Sequence, residues 1–319
     1  MHIFLIDSLS QGLMTSFMAL GVLLTFNIMG FPDMTVEGSF PLGAAVAAHF
    51  LVSGWSPPLA LIAAALSGVA AGVTTGLIHT RLRVNPVLAG ILTSAGIYSV
   101  EIMIMGAPNT SLLMARDLYA QILGWFGRAE TQEGTVVIVA VMIAVTVTAM
   151  YGFLRTDLGL TVRATGSNER MIRTLGVNTN WTKVLALAIS NMLVAVSGAL
   201  VAQGQGFADV GMGIGALVAA VASLILGESI IGKSSVGRWM IAVVVGSVVY
   251  RVVLNTSLRL GMPADDFKLV TSMLILAAVS IPVMQSAGRE QATRFHQAGG
   301  MLSTREAGRA FLIGLRRER

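Results

Sequence analysis

Long uncharged apolar runs constrain this chain more than any other feature. Residues 8–32 contain no Asp, Glu, Lys or Arg. A bilayer core takes about 20 apolar residues in helical form. Comparable runs follow at 38–55, 57–78, 86–105 (interrupted by Glu101), 135–154, 184–203, 211–226, 239–254 and 269–288. Only 12% of the 319 residues are charged, against roughly 25% in soluble domains, so the solvent for most of this surface is lipid. Backbone polar groups in lipid must pair internally, so each run is expected to be a helix. That includes 136–147, whose Val and Ile would favour strand in water. The expected fold is therefore an all-α membrane protein of about nine transmembrane helices, with one broken near the second span. The opening MHIFLIDSLSQGL lacks a basic n-region and a small-residue cleavage site, so the first span is expected to be retained.

Charge orients the spans. Arg81 and Arg83 follow the third run, and Arg155, Arg163, Arg170, Arg173 and Lys183 follow the fifth. Lys233 and Arg238 follow the seventh, and a tail at 289–319 holds seven Arg and three Glu. Nine spans put all four segments on one face, the cytoplasm by the positive-inside rule. The N-terminus is then outside and the C-terminus inside. The expected division is a transmembrane domain at 1–288 and a basic cytoplasmic tail at 289–319. In the tail, Thr304 could cap an amphipathic helix that lies on anionic lipid or braces a partner. Much of the net charge of +5 sits in that tail, which reports topology and not nucleic-acid binding. The chain has no Cys, which excludes disulfides and thiolate metal sites, and its four His show no metal-ligand spacing.

Two polar segments interrupt the pattern. Residues 27–43, NIMGFPDMTVEGSFPLG, place Asp33 and Glu37 beside Gly38 and Pro41. Pro and Gly break helices, and transport sites use broken helices whose freed backbone groups face a ligand. A plain cytoplasmic turn fits equally well. The second segment, 155–183, is polar and basic. Within it Ser167 could cap a short helix over 170–175 that Gly176 stops. Met171, Ile172 and Leu175 would form its apolar side, suited to a groove on another protein or, alternatively, to lipid headgroups.

The run G-S-N-E-R-M-I-R-T-L-G-V at 166–177 resembles the coupling loop of permeases in ABC importers of the branched-chain amino acid and ribose type. Residues 27–43 are similar to the family's segment after its first helix and 198–237 to its block after the coupling loop, and the resemblance covers roughly 27–283. It is strongest for single-permease systems for amino acids such as tryptophan and tyrosine. The chain departs from the branched-chain pattern at Thr35, Glu37, Ser39 and Phe40. The resemblance implies a type II importer permease fold. It implies that Asn168, Glu169, Arg170, Met171, Arg173, Leu175 and Gly176 couple to a cytoplasmic ABC ATPase subunit. It also implies a periplasmic substrate-binding protein, a second permease copy and surrounding lipid as partners. ATP and Mg would act on the ATPase, with no cofactor in this chain and no catalysis by it. The solute would be small and polar, an amino acid by preference.

Candidates for the translocation path are Asn27, Thr35, Glu37, Ser39, Thr93, Ser94, Asn191 and Gln203. For Asn191 a bond to a neighbouring helix is favoured over a path role. Glu101 reads as an interfacial acid reaching the outer surface. Gly68, Gly72 and Gly76 read as a packing face. The run at 227–234 matches G-x-x-x-x-G-K-[ST] letter for letter, but it follows a membrane span and lacks the strand and Walker-B acid that phosphate chemistry needs, so it reads as a turn. An ion-coupled secondary transporter is the rival function. It would call for paired acids or inverted repeats at the midplane. A membrane enzyme would need converging nucleophile, base or metal groups, and none is evident.

Overall fold

The computed structural model describes residues 2–125, 131–259, 272, 273 and 276. The chain runs as α1 (His2–Val22), a π-helical turn (Leu23–Ile28), α2 (Val36–Val52), α3 (Pro57–Arg81), α4 (Pro86–Met105), α5 (Leu118–Trp125) and α6 (Gln132–Phe153). It continues through α7 (Asp157–Ser167), α8 (Glu169–Thr174), α9 (Thr179–Gln205), α10 (Ala216–Ile231) and α11 (Val236–Arg259). Seven helical stretches among the described residues are long and apolar enough to cross a membrane, and α2 is a shorter apolar helix. The expected ninth run at 269–288 falls almost wholly outside the described residues, as do the tail and the boundary at 288.

The chain is mostly but not purely helical. β1 (Asn109–Ser111) pairs antiparallel with β2 (Phe207–Asp209), in the register Asn109↔Asp209, Thr110↔Ala208 and Ser111↔Phe207. These strands lie where α4 and α9 have ended, and their backbone groups pair with each other. Strands of three residues carry no readable period, so the sequence gives no sign of them.

α9 is the axis of the bundle. It is buried along most of its 27 residues and packs against α1, α2 and α3. α3 approaches it through Gly68 and Gly72, where a Cβ would run into the backbone of Asn191 and Leu187. This is the expected small-residue packing face. The opposite surface of α3 exposes Leu59, Ile62 and Leu66, and α6 exposes Val137, Val141 and Val145, as faces turned to lipid should.

The Walker-like run is not a phosphate loop. Gly227 through Ile231 form the end of α10, so their N–H groups belong to helical bonding, and Gly227 packs against the Ala242 carbonyl. The turn begins only at Gly232, which has φ +83°.

Candidate functional site

The segment between α1 and α2 is neither an exposed turn nor the wall of an open cleft. α1 ends in the π-helical turn, a form often found at functional sites. The chain then doubles back, with Phe31 N donating to Thr25 O at 2.8 Å. Asp33, Thr35 and Ser39 are all buried. Asp33 Oδ1 accepts from Thr35 N at 2.9 Å, and Asp33 Oδ2 accepts from Asn191 Nδ2 at 2.7 Å. Ser39 Oγ donates to Asn191 Oδ1 at 2.7 Å, and the Thr35 and Thr75 hydroxyls meet at 2.7 Å. Asn191 lies midway along α9, so this irregular backbone sits at mid-depth. It is tolerated there because protein surrounds it.

The cluster restarts the chain as α2. Pro41 lies inside that helix and cannot donate to the Glu37 carbonyl. Gly213 packs against that carbonyl, at a point where a Cβ would overlap it. Glu37 Oε1 also accepts from Gly215 N at 3.3 Å. α2 therefore starts against the turn that leads into α10.

The other path candidates have partners too, although Asn27 Oδ1 is buried with none among the described residues. Asn27 Nδ2 donates to Glu228 Oε1 at 3.1 Å. Ser94 Oγ donates to Met34 O at 2.9 Å, and Thr93 bonds back within α4 to Ala89 O at 2.9 Å. Gln203 Oε1 accepts from Leu118 N at 2.9 Å and so holds the start of α5. Glu101 differs from its expected place at the outer surface. It is 1% exposed, and its Oε1 has no partner among the described residues. It lies on the face of α4 that packs inward beside buried Ile97.

The second site is a helical knob on one end of the bundle. Asn168, not Ser167, caps α8. Ser167 closes α7, the backbone breaks at Asn168 (φ −155°, ψ 89°), and the Asn168 Oδ1 accepts from Met171 N at 3.1 Å. Gly176, at φ +84°, supplies the left-handed stop that a side chain would strain. Glu169 ties the knob to α9. It meets Arg173 Nη2 at 2.7 Å and Lys183 Nζ at 2.9 Å, and accepts from Thr179 Oγ1 at 3.1 Å. Partial burial pushes the Glu169 carboxyl up, but the bond and charge of Lys183, the Thr179 hydroxyl and Arg173 together hold it below the ordinary value. Met171 (59%) and Leu175 (67%) stand exposed on this held frame.

The knob shares its end of the bundle with other basic groups. His79, Arg83, Arg170 and Arg173 line a cleft of about 510 Å³ beside it. At the same end Glu228 accepts from Trp239 Nε1 at 2.6 Å and lies 3.7 Å from Lys233 Nζ. Gly166 at the end of α7 packs directly on the Ile28 carbonyl, so knob and broken segment touch through backbone.

Sequence reasoning missed the role of Asp33 as the centre of the mid-depth cluster, and it missed Thr75. An acid between two apolar runs was the available signal, but only the fold supplies the Asn191 partner 158 residues away.

Residues 4–279 match the family described as the permease component of branched-chain amino acid transport systems. The tyrosine transport system permease protein of Clostridioides difficile (strain R20291) is 37% identical over 273 residues, covering 86% of this chain and 89% of that protein. The ribose import permease protein RbsC of Escherichia coli (strain K12) is 27% identical over 279 residues, covering 87% and 84%. A solved structure, PsaBC from Streptococcus pneumoniae in complex with Fab, superposes with a TM-score of 0.48 at 14% identity, covering 86% of this chain and 89% of that one. An ion-coupled secondary transporter is not favoured by the family match and the two relatives. The chain belongs to the permease family of branched-chain amino acid transport systems, and it is the membrane-spanning permease component of an ABC importer.

Proposed function

We propose that this permease passes an amino acid inward across a bacterial inner membrane, driven by a separate ATPase that seats on α8. The relative named for tyrosine transport supports an amino acid as cargo. ATP and Mg act on that ATPase. A periplasmic binding protein delivers the solute, and two copies of the permease pair around the path. The basic end of the bundle is cytoplasmic, which places the N-terminus outside.

One observation carries the docking role. α8 is fixed by Glu169 and Asn168, yet it leaves Met171 and Leu175 exposed at the end where Arg residues gather. Apolar side chains held rigidly in water are suited to a partner's groove, because little ordering entropy remains to be lost on docking. Motion of the knob would reach Ile28 through Gly166, and from there the start of α2.

The absence of native Cys makes the test clean. In Met171→Cys, a membrane-impermeant maleimide should label the thiol only in opened cells, and the added cognate ATPase should protect it. Labelling in intact cells would overturn the orientation. Labelling indifferent to a bound ATPase would overturn the docking surface.

A further inference from the structure

A cleft of about 930 Å³ opens between α1, α10 and α11. That is within the usual range for small-molecule sites, roughly 300–1,000 Å³. Most of its polar groups come from two helices, with Gln205 of α9 and Ser272 also on the lining. α1 supplies Asp7 and Gln11, and α11 supplies Arg251 and Asn255. Its apolar wall includes Met18, Phe40, Ile214 and Leu254.

Most of the polar groups here are occupied. Asp7 Oδ2 accepts from Gln11 Nε2 at 3.2 Å, and Asn255 Nδ2 donates to Ser8 Oγ at 3.0 Å. Arg259, also on the rim, stacks over the Phe4 ring at 3.9 Å. Arg251 is the exception. Its Nε is buried with no hydrogen-bond partner among the described residues. Its charge feels the Asp7 carboxylate, but the two form no ion pair within bonding distance. A cation within a membrane span is costly unless paired, and it marks a functional site by default.

We propose that this cleft binds a zwitterionic amino acid, with Arg251 receiving the α-carboxylate and Asp7 the α-ammonium. The chemistry selects among solutes. A neutral sugar would bring no carboxylate to the buried Nε and no ammonium to Asp7. A simple anion would satisfy Arg251 but be repelled by Asp7, and an amine would do the reverse. A zwitterion supplies both charges and adds no net charge to the span. The apolar wall then takes a nonpolar or aromatic side chain. Phe40 and Gly215 place the start of α2 and the start of α10 on this cleft, so the broken segment borders the ligand without contacting it through its buried polar side chains.

The inference rests on the reading of an amino-acid importer and narrows it to a site. The test uses the permease bound to its ATPase in lipid nanodiscs. The probes are L-tyrosine, tyramine (no carboxylate) and 3-(4-hydroxyphenyl)propanoate (no ammonium). Wild-type protein should prefer L-tyrosine over each analogue by about tenfold or more, because a site built for a charged hydrogen bond rejects a ligand that lacks it. Arg251→Gln should erase the preference over tyramine and keep the preference over the propanoate. Asp7→Asn should do the converse, and Arg251→Lys should restore part of the first preference. A purely structural Arg251 would lower inserted yield without producing this crossed pattern.

Should Arg251→Gln fail to insert, wild-type protein photolabelled with 4-azido-L-phenylalanine decides. Adducts on the α1 and α11 faces of the cleft sustain the site, and adducts confined elsewhere overturn it. Amino-acid uptake with analogue preferences unmoved in both variants overturns the site alone. Uptake of ribose but of no amino acid by the wild-type complex overturns the site and the substrate reading together.

Discussion

Two of the places where the bundle holds polar side chains between its helices are finished differently. At mid-depth, Asp33, Asn191, Ser39, Thr35 and Thr75 spend their hydrogen-bonding capacity on one another. In the cleft between α1 and α11, Arg251 has a buried donor with no acceptor among the described residues. Burial without water makes an unmet polar group costly, whereas a satisfied network rigidifies what it joins. The first arrangement holds a broken helix in place. The second leaves interaction energy to be realised when a solute arrives. Polarity inside a membrane protein is therefore not by itself a sign of a path, since the unpartnered group carries more information than the buried one.

The largest effect should come from Asp33→Ala. It orphans Thr35 N and leaves Asn191 Nδ2 with only its bond to Leu187 O at 3.0 Å, and a buried orphan costs about 1–3 kcal/mol. We expect a loss of about 3 kcal/mol and a sharp fall in monodisperse yield from detergent, read by thermal unfolding of the purified protein. An unchanged melting temperature would erase the distinction between the two regions.

Arg251→Leu should behave in the opposite sense. Replacing even a buried ion pair with apolar side chains is often neutral or stabilising by about 1–4 kcal/mol, and a cation outside any ion pair has less to lose. Thermal stability should hold or rise while uptake falls by about tenfold or more. Such a trade-off is the mark of a functional site kept at the expense of stability. A fall in stability equal to that of Asp33→Ala would make the cleft a second structural network.

How far these regions can be read from the sequence follows the same division. The helices were legible because lipid enforces them over propensity, as 136–147 shows in forming the interior of α6 despite its Val and Ile. The knob was legible to within a residue because caps are local. Asn168 and Ser167 are adjacent candidates, and only backbone geometry separates them. Asn191 was expected to bond a neighbouring helix, and it bonds Asp33 and Ser39. Its partners were not legible, because they lie far along the chain and a buried acid can be satisfied from any neighbouring helix. The burial of Glu101 is not legible for a related reason. One residue decides whether an acid near a helix end faces lipid or a neighbouring helix, and the pattern of α4, apolar on all sides, marks neither face.

A smaller effect sharpens the comparison within the mid-depth cluster. Thr35→Val keeps the shape and removes the hydroxyl contact with Thr75, which retains its bond to Ala71 O at 3.2 Å. Bonds between membrane helices average about 0.6 kcal/mol in double-mutant cycles, so the loss should be about that size. A Thr35→Val, Thr75→Val cycle that returns no coupling would remove this pair from the network and leave Asp33 as its only centre.

The smallest effect belongs to a polar cluster at the surface, where water competes for every bond. Glu169 binds Arg173, Lys183 and Thr179, but its side chain is 34% exposed, and exposed pairs contribute little and are screened by salt. Its carboxyl lies below the ordinary value of 4.5. A depressed carboxyl contributes stability that is fully present above the unfolded value and is lost as pH falls through the folded one. Amide exchange at Met171 and Ile172, corrected for intrinsic rate, should therefore be flat from neutral pH down to about 5 and should rise only below the ordinary value. Glu169→Gln should show a small rise in exchange at every pH, and high salt should reproduce part of it in the wild type. A transition near neutral pH would mean that some other group holds α8. The contrast with Asp33 would then lie in which residues do the holding, as well as in how much water reaches them.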